Sequence, residues 1–283
     1  MTFRLLLVGC GKMGEALLAG WLAADLAADD IVVVEPEPAT ASALRQRYGV
    51  AVVADAGAPT SKDRPDVASP GAIVFAVKPQ TLPAVADAYA RFVAEGPVFL
   101  SIAAGRTIAS LQARLGAEAA IVRAMPNTPA AVRRGASVAC ANARVTAEQR
   151  AVCERLLGAV GTVAWVDDEA LLDAVTAVSG SGPAYLFYLA ECLADAGAEA
   201  GLPRDLAESL ARETVTGAGE LLRRSPEAAA TLRRNVTSPG GTTAAALAVL
   251  MGEKDAAVSA GGLAALMSAA VEAAARRARD LSQ

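Results

Sequence analysis

Histidine is missing altogether from this 283-residue sequence. The commonest general acid–base and the commonest metal ligand are therefore gone, so imidazole-based triads and His-based zinc sites are excluded and no metal is expected. Aromatic residues make up only 4%, which leaves the core to Ala, Val and Leu, and the abundance of Ala favours helices. No long basic run is present and the net charge is −4, which argues against nucleic acid or an anionic membrane as the main partner. No uninterrupted apolar run approaches the ~18 residues of a membrane helix, and Glu253, Lys254 and Asp255 break the Ala-rich C-terminal stretch. Leu7-Val8-Gly9-Cys10 imitates a lipoprotein cleavage site, but the apolar stretch before it is too short for a secretory segment and Lys12 and Glu15 follow at once. Cys10, Cys140, Cys153 and Cys192 form no Cys-x-x-Cys pair. They are expected to be buried or half-buried thiols of a cytoplasmic protein.

What is present divides the chain in two. Up to residue 166, short apolar runs alternate with helical patterns. Strands are expected at Leu5–Val8, Ile31–Val34, Val50–Val53, Ile73–Val77, Val98–Ile102, Ala120–Arg123, Ser137–Ala141 and Val163–Val166. Helices are expected at Met13–Ala24, Ala39–Tyr48, Thr81–Ala94, Thr107–Leu115 and Ala147–Leu157. Unbroken apolar runs suit strands covered on both faces, and the alternation implies a doubly wound parallel sheet of the Rossmann type. Beyond residue 166 only Ala- and Leu-rich helical segments remain, the first expected at about Glu169–Val178, with Gly201 ending a later one and Pro203 starting the next. The expected domains are 1–166, dinucleotide-binding, and 167–283, all-helical. Ala184–Ala190 is apolar nearly all round. A helix without a polar face must be covered, which points to self-association through the C-terminal helices.

Gly9-Cys10-Gly11-Lys12-Met13-Gly14 follows the first strand and opens a helix. The first glycine permits the tight turn, the second lets backbone approach a pyrophosphate, and the third allows close helix–sheet packing. The helix N-terminus, with Lys12 and Met13, offers amides and a positive dipole end to the phosphates. Glu35, at the end of the second strand and roughly 20 residues on, suits the adenosine ribose. Its carboxylate would repel a 2′-phosphate, with Glu37 adding to that and Arg45 placed on the solvent face of the next helix. The cofactor is therefore NADH or NADPH, with the lean toward NADH.

Four further segments are more distinctive: Phe75-Ala76-Val77-Lys78-Pro79-Gln80, Arg123-Ala124-Met125-Pro126-Asn127-Thr128-Pro129, Ser179-Gly180-Ser181-Gly182-Pro183-Ala184-Tyr185 and Val236-Thr237-Ser238-Pro239-Gly240-Gly241-Thr242-Thr243. In order and spacing the chain resembles the pyrroline-5-carboxylate reductase family from its first strand to its last helix. The resemblance implies reduction of the cyclic imine 1-pyrroline-5-carboxylate to L-proline, with a Rossmann domain and a helical dimerisation domain. In that family the active site lies between the cofactor and the other subunit's helical domain, and dimers often build larger rings, commonly decamers. It further implies that Ala76, Val77, Lys78, Pro79, Met125, Pro126 and Asn127 border the nicotinamide and its ribose. Ser238, Gly240, Gly241, Thr242 and Thr243 would hold the substrate. Departures fall at Arg224–Ala230, at Arg277-Ala278-Arg279-Asp280-Leu281 and in a slightly long Lys254–Gly262; they touch helix ends and oligomer contacts more than the substrate loop.

The missing histidine suits this chemistry. A protonated imine is already electrophilic and the product amine keeps its proton, whereas carbonyl reduction must protonate a developing alkoxide. The hydroxyls and amides of the 238–243 segment form an anion site for a carboxylate. Thr243 is the candidate to accept a hydrogen bond from the iminium N–H or relay a proton; the competing role for Ser238 and Thr243 is simple helix capping. Lys78, at the C-terminal edge of the sheet where ligands bind, is read as shaping the field rather than donating a proton. Glu169 and Asp173, four apart, read as a solvated acidic face. A reductase of another cyclic imine or a small hydroxyacid, or a silent nucleotide sensor, remains the alternative. Against the first, Ala184–Ala200 offers only Glu191, Asp195 and Glu199, with no lysine; against the second stands the intact substrate loop.

Overall fold

The computed structural model describes residues 4–55, 70–252 and 261–282. Glu253, Lys254 and Asp255, and most of the long Lys254–Gly262 stretch, lie outside the described residues. Contacts divide the chain into two compact units, Met1–Gly180 with Ala275–Gln283, and Ser181–Ala274.

The first unit is built on one eight-stranded sheet. Its strands are β1 (Leu5–Val8), β2 (Ile31–Val34), β3 (Ala51–Val53), β4 (Ala72–Phe75), β5 (Val98–Ser101), β6 (Ala120–Met125), β7 (Gly135–Ala141) and β8 (Gly161–Trp165). They lie in the order β3-β2-β1-β4-β5-β6-β7-β8. The first six are parallel, as the alternation implies. The last two pair in parallel with each other, but β7 runs antiparallel to β6. The cause is local: only a 3₁₀ turn at Thr128–Val132 separates β6 from β7, and a parallel return would need a crossover of a dozen residues or so.

Five helices pack on the two faces: α1 (Lys12–Ala23), α2 (Pro38–Tyr48), α3 (Leu82–Asp87), α4 (Ile108–Leu115) and α5 (Ala147–Gly158). Alternate strand residues feed opposite faces, so the sheet carries two cores. On one side Leu5, Leu7, Val33, Val74 and Leu100 meet Leu17 and Trp21 of α1, Leu44 of α2 and Leu156 of α5. On the other, Leu6, Val8, Ile73, Phe75 and Phe99 meet Leu82 of α3 and Leu111 of α4. Phe75 carries the scarce aromatic packing, edge-on to Tyr89 at 5.3 Å and stacked on Phe99 at 6.2 Å. The ends of these helices follow side-chain chemistry: Glu37 caps α2 by accepting from the Thr40 amide, Thr107 caps α4 from Ser110, and Thr146 with Gln149 makes a reciprocal capping box on α5.

Two helices expected to be long are shorter. Thr81–Ala94 becomes α3 followed by 3₁₀ turns at Ala90–Glu95. Tyr89 and Phe92 are buried there, and turning the chain tightly seats both rings on the Phe75 side of the sheet. Glu169–Val178 becomes a short helix α6 (Leu171–Val175) running into a π turn at Thr176–Gly180. The Thr176 hydroxyl donates back to the Leu172 carbonyl at 2.7 Å, a pairing that accompanies such bulges.

The second unit is helical: α7 (Gly182–Glu199), α8 (Arg204–Arg224), α9 (Ala229–Asn235), α10 (Thr242–Leu250) and the first part of α11 (Gly262–Ser282). Gly201 takes φ 102° between α7 and α8, and a Cβ on Gly197 would meet the Ala207 Cβ at 3.4 Å. Small residues thus let these two helices approach closely, and Ala194, Ala207 and Ala211 are buried between them. The larger apolar side chains point away from that seam: Phe187 is 64% and Tyr188 66% exposed. Within one chain the expected cover of α7 is not supplied, and its apolar face is left exposed. Among the described residues no helix is long and apolar enough to cross a membrane.

Cys10, Cys140 and Cys153 are buried as expected, while Cys192 is exposed on α7. Burial pushes the Cys10 and Cys153 thiols up to about 12, so both stay protonated at neutral pH and are poor nucleophiles.

Trp21 is fully buried and its indole N–H donates to the Leu156 carbonyl at 2.8 Å, tying α1 to α5. Trp21→Phe leaves that carbonyl without its donor and is expected to cost about 1–3 kcal/mol. Urea titration followed by far-UV circular dichroism should show a lower midpoint; an unchanged midpoint would remove this bond from the account.

Candidate functional site

Strand order reverses at β1, whose neighbours are β2 and β4. In open α/β sheets ligands bind at such a switch point, outside the carboxyl ends of the strands. The glycine segment occupies that place. Gly9 takes φ 82°, and a Cβ on it would lie 2.6 Å from Val77 Cγ1 and 3.1–3.2 Å from the backbone of Val77 and Ala76. A Cβ on Gly14 would lie 2.7 Å from the Gly9 carbonyl oxygen and 3.2 Å from Ala76 Cβ. Two of the three glycines are therefore required by packing, and the same packing seats Ala76 and Val77 directly against the turn. Gly11 differs: among the described residues nothing lies within 4 Å of a Cβ built there. It is the exposed N-cap of α1, and no side chain caps that helix. The first amides of α1, on exposed Lys12 and half-buried Met13, are left to an incoming anion. An open position above uncapped amides suits a dinucleotide pyrophosphate.

Glu35 ends β2 beside this turn. Its carboxylate accepts from the Cys10 amide at 3.3 Å and from the Glu37 amide at 3.1 Å, which pins it to the glycine loop. Since an ionised carboxylate has about four acceptor sites, capacity remains for two ribose hydroxyls. Glu37 has a structural task as the cap of α2. Arg45 is exposed, as expected, and its guanidinium also donates to the Val52 carbonyl at 2.8 Å, holding the end of α2 to β3.

Phe75, Ser101 and Arg123 are in register across β4, β5 and β6, so the segments that follow them leave the sheet at one edge. Lys78 is exposed and its carbonyl accepts from the Thr81 amide, the Thr81 hydroxyl and the Leu82 amide, which turns the chain into α3. The Pro79 carbonyl accepts from Arg106 Nε at 2.7 Å. Pro126 is buried, and Asn127 is fully engaged: its amide donates to the Ser179 carbonyl and hydroxyl at 3.2 and 3.1 Å, and its oxygen accepts from the Ala136 amide at 2.8 Å. A Cβ on Gly180 would meet Met125 Cε at 2.6 Å. The start of the Ser179–Tyr185 motif is thereby built against Met125 and Asn127.

The substrate-loop candidates lie in the helical unit. Gly240 takes φ 71° and Gly241 is the N-cap of α10. No side chain caps this helix, so Ser238 and Thr243 are not its caps. A Cβ on Gly241 would run into the Ser238 hydroxyl, so the glycine keeps that hydroxyl close over the helix start. Thr242 is exposed and Thr243 half-buried in the first turn. The arrangement offers free amides and hydroxyls together, which suits a carboxylate.

Two arginines of weight, Arg123 and Arg106, are not marked as functional by the sequence. Arg123 on β6 is buried, its Nη1 2.8 Å from Glu169 Oε1 and its Nη2 4.0 Å from Asp173 Oδ1. Glu169 and Asp173 are therefore not a solvated acidic face but the counter-ions of a buried guanidinium. The available signal was the charge itself, set inside the apolar run of a strand covered on both faces. Arg106 lies in a turn and carries no such mark. Among the described residues no group of three Cys, Asp or Glu side chains is placed to hold a metal.

Comparison with known proteins agrees with this geometry. Residues 169–281 match the family model described as pyrroline-5-carboxylate reductase dimerisation, and residues 4–105 match the model described as NADP oxidoreductase, coenzyme F420-dependent. The chain is 40% identical over 282 residues to the pyrroline-5-carboxylate reductase of Pseudomonas aeruginosa, covering all of this chain and 98% of that one. The enzyme of Synechocystis is 40% identical over 286 residues, with full coverage of both. Among solved structures, a pyrroline-5-carboxylate reductase from Coxiella burnetii superposes with a TM-score of 0.89 at 33% identity over the full length of both chains. The Plasmodium falciparum pyrroline carboxylate reductase, solved with NADP bound, gives 0.80 at 27% identity over 99% of this chain and 98% of that one. A glycine turn at the switch point and an uncapped Gly-Gly-Thr-Thr helix start, carried on a chain alike from end to end, leave one assignment: the chain belongs to the pyrroline-5-carboxylate reductase family.

Proposed function

We propose that this protein reduces 1-pyrroline-5-carboxylate to L-proline, the last step of proline biosynthesis, using a nicotinamide dinucleotide. The observation that carries the reading is the pairing of an open glycine position over uncapped α1 amides with a second uncapped helix start at Gly241-Thr242-Thr243. One suits a pyrophosphate and the other a small carboxylate.

The chain's own residues bind, orient and exclude. Gly9, Gly11 and Gly14 with Lys12 and Met13 hold the pyrophosphate, and Glu35 takes the adenosine ribose. Ala76, Val77, Lys78 and Pro79, with Met125, Pro126 and Asn127, border the nicotinamide and its ribose. The α10 amides and the hydroxyls of Ser238, Thr242 and Thr243 hold the substrate carboxylate, while Gly240 and Gly241 let backbone close around it. When bound, the reduced nicotinamide supplies a hydride to the imine carbon. Thr243 accepts a hydrogen bond from the iminium N–H and so fixes the ring's orientation; the nitrogen keeps its proton in the product. Lys78 contributes positive field at the strand end. Placement supplies most of the catalysis, because the protonated imine needs little further activation.

Several finer points belong to the same reading. Glu35 favours NADH, since a 2′-phosphate beside its carboxylate would be repelled. The domain that does the dinucleotide work is 1–166 and the one that holds substrate and partner is 167–283. The exposed apolar side chains of α7 and the match to a dimerisation model support a homodimer through the C-terminal helices. By resemblance, dimers assemble into decamers in the cytoplasm.

Three measurements test this. Purified protein mixed with 1-pyrroline-5-carboxylate should consume NADH absorbance faster than NADPH absorbance. Consumption of neither by folded, cofactor-binding protein would turn the reading to another imine or a silent sensor, and faster use of NADPH would overturn the role of Glu35. Gly11→Ala should fold like the parent but weaken cofactor binding by roughly tenfold or more, about 1.4 kcal/mol, by titration calorimetry; parental affinity would dismiss the pyrophosphate assignment. Thr243→Ala should lower kcat by roughly 10²-fold with cofactor affinity nearly unchanged, and a parental rate would dismiss its role.

A further inference from the structure

The turns assigned to the nicotinamide come from different strands, and the sheet's own ladder ends before them. β4 ends at Phe75 and β6 at Met125, while Pro79 and Asn127 lie beyond. What ties these turns to one another is a set of side-chain bonds. Arg106, in the turn after β5, holds the Pro79 carbonyl at 2.7 Å. Two residues on, the Ile108 amide at the start of α4 donates to Glu169 Oε1 at 2.8 Å. The same oxygen accepts from Arg123 Nη1 at 2.8 Å. Arg123 sits two positions before Met125, and Asn127 is bonded to Ser179 at the end of the π turn that α6 feeds. Glu169 is the residue on which the β5 turn, the β6 strand end and the α6 segment converge.

We infer that Glu169 is a positioning residue for hydride transfer: through Ile108 and Arg123 it holds the nicotinamide-bordering turns at Pro79 and at Met125–Asn127 in one mutual arrangement. This inference rests on the reading of those turns as the nicotinamide site. Three features favour positioning over simple support. Arg123 is 6% and Glu169 26% exposed at the side chain, so the pair is largely withdrawn from water, and losing Glu169 leaves the buried guanidinium only the longer 4.0 Å contact with Asp173. The pair therefore has one satisfied geometry rather than many. Every tether ends at or beside a nicotinamide-side turn, and none of them reaches Gly9–Gly14 or Glu35. The network thus acts on one half of the cofactor site, and losing it should separate placement from affinity.

The test is Glu169→Gln in the full chain, which keeps shape and one acceptor oxygen but removes the nearer of the two carboxylates beside Arg123, leaving Asp173 at 4.0 Å as its remaining counter-ion. Binding of NADH should stay within roughly twofold, because the adenosine and pyrophosphate contacts are intact, while kcat with 1-pyrroline-5-carboxylate falls roughly tenfold or more. The fluorescence anisotropy of bound NADH should fall, which reports a looser nicotinamide whether or not the substrate assignment is right. A kinetic isotope effect with cofactor deuterated at C4 should rise, as hydride transfer becomes rate-limiting. If Glu169→Gln does not fold, Arg106→Met, which releases only the Pro79 carbonyl, should give the same signature. Parental anisotropy in the folded variant overturns the inference, whereas lowered anisotropy in a variant whose parent does not reduce 1-pyrroline-5-carboxylate overturns the substrate reading and leaves the positioning role standing.

Discussion

Everything at the cofactor end depends on a close approach of backbone to backbone between the first glycine turn and the turn after β4. No Cβ fits at Gly9 or Gly14 without striking Val77, Ala76 or the Gly9 carbonyl. That contact sets where α1 starts, aims its uncapped amides, and fixes Ala76 and Val77 beside them. Gly11 carries the opposite requirement, an empty position rather than a filled one. One short segment thus uses glycine in two ways: to pack against its own fold and, at Gly11, to keep a position open for the proposed cofactor.

The charged groups divide by how they are satisfied. Exposed pairs such as Arg47–Glu15 and Arg144–Glu118 are surface ion pairs, which contribute little. Arg123 is different because it is buried in the sheet layer, where a guanidinium must be paired. Its partners come from the stretch that follows β8, so the charge also decides where that stretch runs and, through the π turn, where Ser179 meets Asn127. A reductase with no histidine must rely on placement, and the placement proposed above uses backbone amides at helix starts and side chains bonded to backbone carbonyls.

The helical unit follows a second logic. Small residues line the seam between α7 and α8, while Phe187, Tyr188 and their leucine neighbours face outward. Dispersion and apolar burial of that size stay unused in a single chain. These helices lie within the region that matches the dimerisation model, and the proposed self-association would cover that face.

The sequence by itself determined the strands of the sheet to within a residue or two, the change to helices after residue 166, the glycine turn and the family. These are local matters of apolar run length, turn chemistry and motif order, and they survive without knowledge of contacts. The tertiary structure alone decided that β7 turns back antiparallel, that Thr81–Ala94 tightens into 3₁₀ turns around Tyr89 and Phe92, that Arg45 grips Val52, and that Glu169 answers Arg123. The physical reason is distance along the chain. Glu169 lies 46 residues from Arg123 and 61 from Ile108, and no periodicity of 2 or 3.6 carries information that far. Only packing brings a buried charge and its counter-ion to one place.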